Sequence, residues 1–194
     1  MKKSIGFKKT RTAVFISGKG SNLENLIKFS KKKKSPISVH LIVSNKNYAK
    51  GLKYSVKYSI KKKIINFKNK KLAEKKILKF LLTKKIKLIC LAGFMKVLSK
   101  NFIKKFNGKI INIHPSLLPK YRGLNAHKKV IKNKERFTRS TVHFVNENLD
   151  SGKIIIQKKV KVLKKDTIFT IAKKVLKIEH QIYPKAIKKI AVNL

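Results

Sequence analysis

Ile110-Ile111-Asn112-Ile113-His114-Pro115-Ser116-Leu117-Leu118-Pro119-Lys120-Tyr121-Arg122-Gly123-Leu124 is the stretch around which this chain is organised. The β-branched residues Ile110, Ile111 and Ile113 favour a strand, and Pro115 ends it because proline has no N–H for a ladder. Side chains two apart on a strand share a face, so Asn112 and His114 project together. An amide and an imidazole then stand side by side where the strand gives way to a loop. Open α/β sheets carry their chemistry at that end of a strand. Pro115 and Pro119 stiffen the loop, and Gly123 lets it turn. The same letters also fit a buried strand with a satisfied histidine ahead of a proline-rich turn.

Outward from this strand, elements alternate. Strands are expected over 12–17, 37–44, 63–67 and 88–92 before the Asn112 strand, and over 140–145 and 153–162 after it. Helices are expected over 21–29, 49–59 (weakened by Gly51), 71–83, briefly after Ser99, over 125–133, and over 167–191 with a bend near Pro184. Ser21 and Glu24 make a capping-box pattern. Leu72, Ile77, Leu78, Leu81 and Leu82 form a helical apolar stripe. Strand–helix alternation through the first two thirds predicts an α/β fold: one mostly parallel, twisted sheet of about seven strands with helices on both faces. Residues 1–11 read as a basic, frayed lead-in and 12–194 as a single domain.

The 194 residues suffice for one domain with a real core, and 42% of them are hydrophobic. No apolar run reaches the length of a membrane span, and the run 13–16 is too short for a signal peptide. Cys90 is the only cysteine. That excludes an internal disulfide and suggests a reducing compartment, the cytoplasm. In the apolar run 88–92 it reads as an inert core thiol.

Charge is the anomaly: 52 Lys and Arg against 7 Asp and Glu give a formal +45. Such a value ordinarily points to nucleic acid. Here the lysines are spread through every segment, so weak, non-specific attraction of polyanions is the expectation. Lys, Ile and Asn are abundant together, and their codons are AT-rich, which is a compositional origin for much of the bias.

Gly18-Lys19-Gly20-Ser21-Asn22 lies between a strand and a helix, where backbone N–H groups can meet a phosphate. It is neither a P-loop nor a dinucleotide fingerprint, and by itself it fits a structural cap equally well. Asp150, one of two aspartates, precedes Ser151-Gly152, a common turn setting. His143 alternates with Val142 and Phe144 in a strand and reads as core or as support for other residues. No His, Cys or acidic cluster has the spacing of a zinc site.

Together, Asn112-Ile113-His114-Pro115-Ser116 through Gly123 and the segments 15–23, 91–99, 140–145, 150–157 and 179–184 resemble the folate-dependent formyltransferases. They occur in that superfamily's order and span nearly the whole chain. The match is best to the branch that formylates glycinamide ribonucleotide in purine synthesis. The resemblance implies the formyltransferase fold, 10-formyltetrahydrofolate as formyl donor, small-molecule substrates and direct attack by the acceptor amine. Asn112, His114 and Asp150 would be catalytic and would stabilise a tetrahedral oxyanion. Gly20, Ser21, Asn22 and Glu179 would hold the ribonucleotide. Met95, Lys96, Val97 and Leu98, with Asn146, Glu147, Asn148, Leu149 and Asp150, would wall the folate pocket, which Asn112 also faces.

Lys70 falls where an arginine often meets the folate's glutamate tail; lysine keeps the charge and loses the bidentate fork. Asn125 stands where a histidine is frequent. The branch that formylates methionyl-tRNA shares the central loop but carries a further C-terminal domain, for which this chain is expected to be too short. The rival of another class is a basic nucleic-acid-binding protein on the same fold. Interleaved exposed aromatic and basic residues would favour it, whereas Phe15 and Phe144 sit in core-like strands.

Overall fold

Seven strands form one sheet in the order β3-β2-β1-β4-β5-β6-β7 in the computed structural model, which describes residues 8–191. The strands are β1 (Thr10–Ile16), β2 (Ile37–Ser44), β3 (Lys61–Ile64), β4 (Leu88–Leu91), β5 (Lys109–His114), β6 (Phe137–Phe144) and β7 (Ile154–Lys161). β3 to β5 run parallel, and β6 and β7 are added antiparallel. The helices are α1 (Ser21–Ser30), α2 (Lys53–Lys57), α3 (Lys70–Thr83), α4 (Lys100–Lys105), α5 (Ala126–Lys132) and α6 (Ile168–Ile190). One face buries Leu23, Leu26, Ile182, Tyr183 and Ile187 of α1 and α6, the other Ile77, Leu81 and Phe102 of α3 and α4. The expected doubly covered, mostly parallel sheet is the fold observed.

Chain direction across the sheet reverses between β1 and β4, which opens a crevice at the carboxyl ends of β1, β4 and β5. Tyr183 pins α6 over that crevice: its buried hydroxyl donates to the Leu91 carbonyl at 2.9 Å and lies 3.3 Å from that of Ile111. Glu179, one turn earlier, is thereby held at the mouth.

Several local expectations are corrected. β3 ends at Ile64, and Ile65 and Phe67 leave the ladder to pack beneath α3. Leu72 and Leu82 of the expected stripe face solvent, while Ala73, Glu74, Ile77 and Leu81 are buried. The carboxylate of Glu74 is buried because it accepts from the Ser99 N–H at 2.7 Å and from the Ser99 hydroxyl, bracing the start of α4. The helix expected over 49–59 is a 3₁₀ turn (Lys50–Leu52) followed by the short α2. β1 begins at Thr10, inside the segment read as a lead-in, of which residues 1–7 lie outside the described ones.

The capping box of α1 does not form. Gly20 is the N-cap, in the left-handed region at φ 77°, and no side chain caps the first turn. Glu24 turns outward and pairs with Lys28 and Lys57 while accepting from the Tyr58 hydroxyl. The box is found instead at α6, between Thr167 and Thr170. Among the described residues no helix is long and apolar enough to cross a membrane.

Candidate active site

His114 ends β5, and Asp150 reaches it from the loop between β6 and β7. Their separation, from Nδ1 to Oδ2, is 3.4 Å, and both side chains are buried. The Gly123 N–H donates to the same carboxylate oxygen at 2.9 Å, tying the proline-rich loop to the Asp150 loop. Gly123 does so with φ 74°, the turn freedom expected of it. Asn112 donates from Nδ2 to the other oxygen, Oδ1, at 3.2 Å. Asp150 itself sits at φ 47°, a conformation that Asp and Asn tolerate better than most residues. The trio read from the sequence is thus one connected cluster.

The electrostatics of the cluster favour an ionised Asp150. Burial opposes the charge, but the neighbouring His143 and His114 and the Gly123 N–H outweigh it and bring its pKa down to about 2. His114 Nε2 lies 2.9 Å from the Tyr121 carbonyl, which can only accept, so that nitrogen carries the hydrogen. Its Nδ1 is left facing a carboxylate.

A cleft of about 960 Å³ runs past this cluster. One arm is polar and contains the turn 18–22 and Glu179. Here the Asn22 amide donates to Glu179 Oε2 at 2.6 Å, while Asn22 Oδ1 is buried with no hydrogen-bond partner among the described residues. Burial pushes the Glu179 pKa up to about 7, against the lowering pull of the Asn22 bond. The turn is braced from behind: the Gly51 N–H donates to the Gly18 carbonyl at 2.9 Å, and a Cβ on Gly20 would lie 2.6 Å from Gly51 Cα. Gly51 is therefore a close-approach residue as well as a weak helix former.

The other arm is walled by Met95, Lys96, Val97 and Leu98 on one side and Asn146, Asn148 and Leu149 on the other. Ser17 joins the two arms, since its hydroxyl accepts from the Met95 N–H at 2.8 Å and its own N–H donates to the Gly93 carbonyl at 3.1 Å. Two of the expected folate contacts do not line the cleft. Lys70 opens α3 away from it, and Glu147 turns outward to pair with Lys100 at 2.6 Å.

Sequence reasoning missed Ser17, whose role depends on a loop 78 residues away. It also missed His127, which lines the cleft with Nδ1 buried and without a hydrogen-bond partner among the described residues, and the apolar face of α6 formed by Ile168, Ala172 and Leu176. His143 carried a usable signal, its position in a strand beside the Asn112 strand. Asn125 is the left-handed N-cap of α5, at φ 62°, and lines the cleft as well.

Such an arrangement has room for two ligands end to end, with an ionised carboxylate, an imidazole and an amide where the two arms meet. Those groups align reactants, stabilise developing negative charge and move a proton.

Residues 10–187 match the family model described as Formyl transferase. A Bos taurus trifunctional purine biosynthetic protein adenosine-3 is 41% identical over 97% of this chain, which spans only 19% of that protein's length. A Haemophilus influenzae phosphoribosylglycinamide formyltransferase is 39% identical, covering 92% of this chain and 85% of its own. The crystal structure of phosphoribosylglycinamide formyltransferase from Brucella melitensis superposes with a TM-score of 0.90 at 39% identity, over 96% of this chain and 98% of that one. Fold, family match and full-length relatives agree, and this chain belongs to the formyl transferase family.

Proposed function

We propose that the chain transfers a formyl group from 10-formyltetrahydrofolate to the primary amine of glycinamide ribonucleotide, a step of purine biosynthesis. The observation that carries the reading is the meeting of two unlike arms at the Asn112–His114–Asp150 cluster. Relatives that match nearly the whole chain and are named for this activity support it. The single buried cysteine, whose thiol burial pushes far above its usual range, suits a reducing cytoplasm.

The cleft fits the folate. Its volume suits two small ligands, and one arm offers apolar walls for a flat ring together with the exposed peptide groups of two loops. Met95, Val97, Leu98, Asn146, Asn148 and Leu149 would hold the folate, which supplies an activated formyl group when bound. Gly20, Ser21 and Asn22 would take the phosphate at the uncapped start of α1, where backbone N–H groups and the helix dipole favour an anion. Glu179 would meet the polar groups of the same substrate.

With both ligands seated, the amine lies against the formyl carbon, and alignment converts the encounter into a first-order step. Asn112 would donate its amide to the oxygen on which negative charge develops, and His114, beside it on the same strand face, would stabilise that charge and take part in the proton movement. Asp150 would orient His114 and the proton transfer from the attacking amine. Collapse of the adduct breaks the bond between the formyl carbon and the folate N10, which leaves with the proton shed by the amine, so no covalent enzyme intermediate is needed. The test is purified protein assayed with glycinamide ribonucleotide and, in parallel, initiator methionyl-tRNA as acceptor. Formylation of the ribonucleotide is expected; efficient formylation of the tRNA alone would overturn the reading.

A further inference from the structure

Asn112 and His143 are directly opposed across the β5–β6 ladder, so their side chains rise from the same face of the sheet. The hydrogens in this pair can be assigned. His143 Nδ1 lies 2.8 Å from the Phe144 carbonyl oxygen, which only accepts, so Nδ1 carries the hydrogen. Nε2 faces Asn112 Nδ2 at 3.3 Å and Asp150 Oδ1 at 3.6 Å; the second separation is beyond hydrogen-bond reach, so in the neutral ring the lone pair is turned on the amide nitrogen. Asp150 Oδ1, 3.2 Å from the same nitrogen, is an acceptor too. Two acceptors thus hold the two amide hydrogens of Asn112. A flipped amide would bring its oxygen against two lone pairs. The Phe144 carbonyl is itself confined, because a Cβ on Gly152 would collide with it.

We propose that His143 is a positioning residue, which acts through Asn112 by fixing the amide nitrogen toward the reacting groups and holding its second hydrogen until the oxyanion forms. The proposal rests on the formyl-transfer reading above. Of the two contacts, the one to the neutral ring is the longer and the weaker, and it yields to a charged oxygen. Asp150 keeps the other hydrogen throughout.

Two substitutions separate this role from packing. Glutamine sets its amide oxygen near the Nε2 position, and asparagine sets its amide nitrogen near Nδ1. His143→Gln therefore keeps an acceptor for Asn112, whereas His143→Asn keeps the donor to Phe144 and loses the acceptor. His143→Asn is expected to lower kcat on the order of 10-fold, the worth of one hydrogen bond, with either KM changed less than about twofold. His143→Gln recovers most of that loss. In an Asn112→Ala background the His143→Asn loss disappears, as coupled residues require.

Equal losses in both variants that follow their melting temperatures would overturn the proposal, as would an undiminished loss in the Asn112→Ala background. A readout independent of turnover is the pair of Asn112 side-chain amide signals in ¹⁵N-labelled protein. They are expected to move in His143→Asn and stay near their wild-type position in His143→Gln; signals unmoved in both variants overturn the proposal. Wild-type protein inactive on glycinamide ribonucleotide would remove the proposed function, and the amide signals would still decide the role of His143.

Discussion

The Asn22 amide donates to Glu179 Oε2 across 2.6 Å, joining the first turn of α1 to the middle of α6. The bond closes the polar arm of the cleft and holds a carboxylate where burial disfavours its charge. On the proposed reading, in which Glu179 meets the substrate, binding and stability pull in opposite directions at this residue.

The pH dependence of stability should expose that conflict. In the folded protein the Glu179 pKa rises from 4.5 to about 7, so the native state holds this proton more tightly than the unfolded chain. The stabilising effect of that proton is complete below pH 4.5 and is lost as pH rises through about 7. Glu179→Gln should make the ligand-free protein more stable than wild type above pH 7, by at most about 3 kcal/mol, with the two converging in acid. The same variant should raise KM for glycinamide ribonucleotide. Urea unfolding from pH 4.5 to 8 measures the gap, and a gap independent of pH would contradict the assignment.

Asp150→Asn separates catalysis from folding. Asparagine adopts the left-handed conformation readily, so the loop should keep its shape at φ 47°. Loss of the charge beside His114 should lower kcat by about 10²–10³ while either KM changes little. A kcat within about threefold of wild type, far short of that range, would remove Asp150 from the mechanism.

Acid stability gives the same residue a second test, with the opposite sign to Glu179. The Asp150 pKa falls from 3.8 to about 2 on folding, so its contribution is present above pH 3.8 and is lost as pH drops toward 2. Asp150→Asn should flatten that part of the wild-type acid-unfolding curve. Identical curves for the two proteins would contradict the assigned shift.

Gly51→Ala tests the brace behind the turn 18–22, the proposed phosphate site. The added Cβ would meet Ile16 Cδ1 at 2.7 Å, Gly20 Cα at 2.9 Å and the Gly18 carbonyl oxygen at 3.2 Å. The backbone contact cannot relax by rotating a side chain, so the turn must move. KM for glycinamide ribonucleotide should rise with that for the folate nearly unchanged. A defect confined to the folate would mean that the arms are assigned the wrong way round.

The net charge of +45 predicts a further, non-catalytic property. The protein should bind DNA and RNA weakly and without sequence preference, and lose that binding steeply as salt is added. Titration by fluorescence anisotropy at several salt concentrations measures the slope. Binding to one sequence that persists at physiological salt would point to a dedicated nucleic-acid role.

Much of this protein was legible without coordinates because strand formation is local. The isoleucines of β5 and the period of two placed Asn112 and His114 on one face, and strand–helix alternation implied the covered parallel sheet. Ordered motifs brought Asp150, Glu179 and the turn 18–22 into one family site. Local patterns were less reliable at edges: Ser21 and Glu24 match a capping box, yet Gly20 caps α1 and Glu24 is drawn away by Lys57 and Tyr58. Ile77 and Leu81 of the expected stripe are buried, yet Leu72 and Leu82 at its margins face solvent, and Ala73 and Glu74, the latter held by Ser99, complete the buried face of α3.

Only the tertiary structure decided which distant groups touch. Asn22 and Glu179 are 157 residues apart, and their contact exists because Tyr183 fastens α6 to β4 and β5. Gly51 meets Gly20 through the docking of one turn on another. His143 faces Asn112 because of the β5–β6 register, which a slip of one residue would reverse. Sequence periodicity fixes the direction of a side chain relative to its own element. The partner it meets follows from how elements pack, and that depends on the whole chain at once.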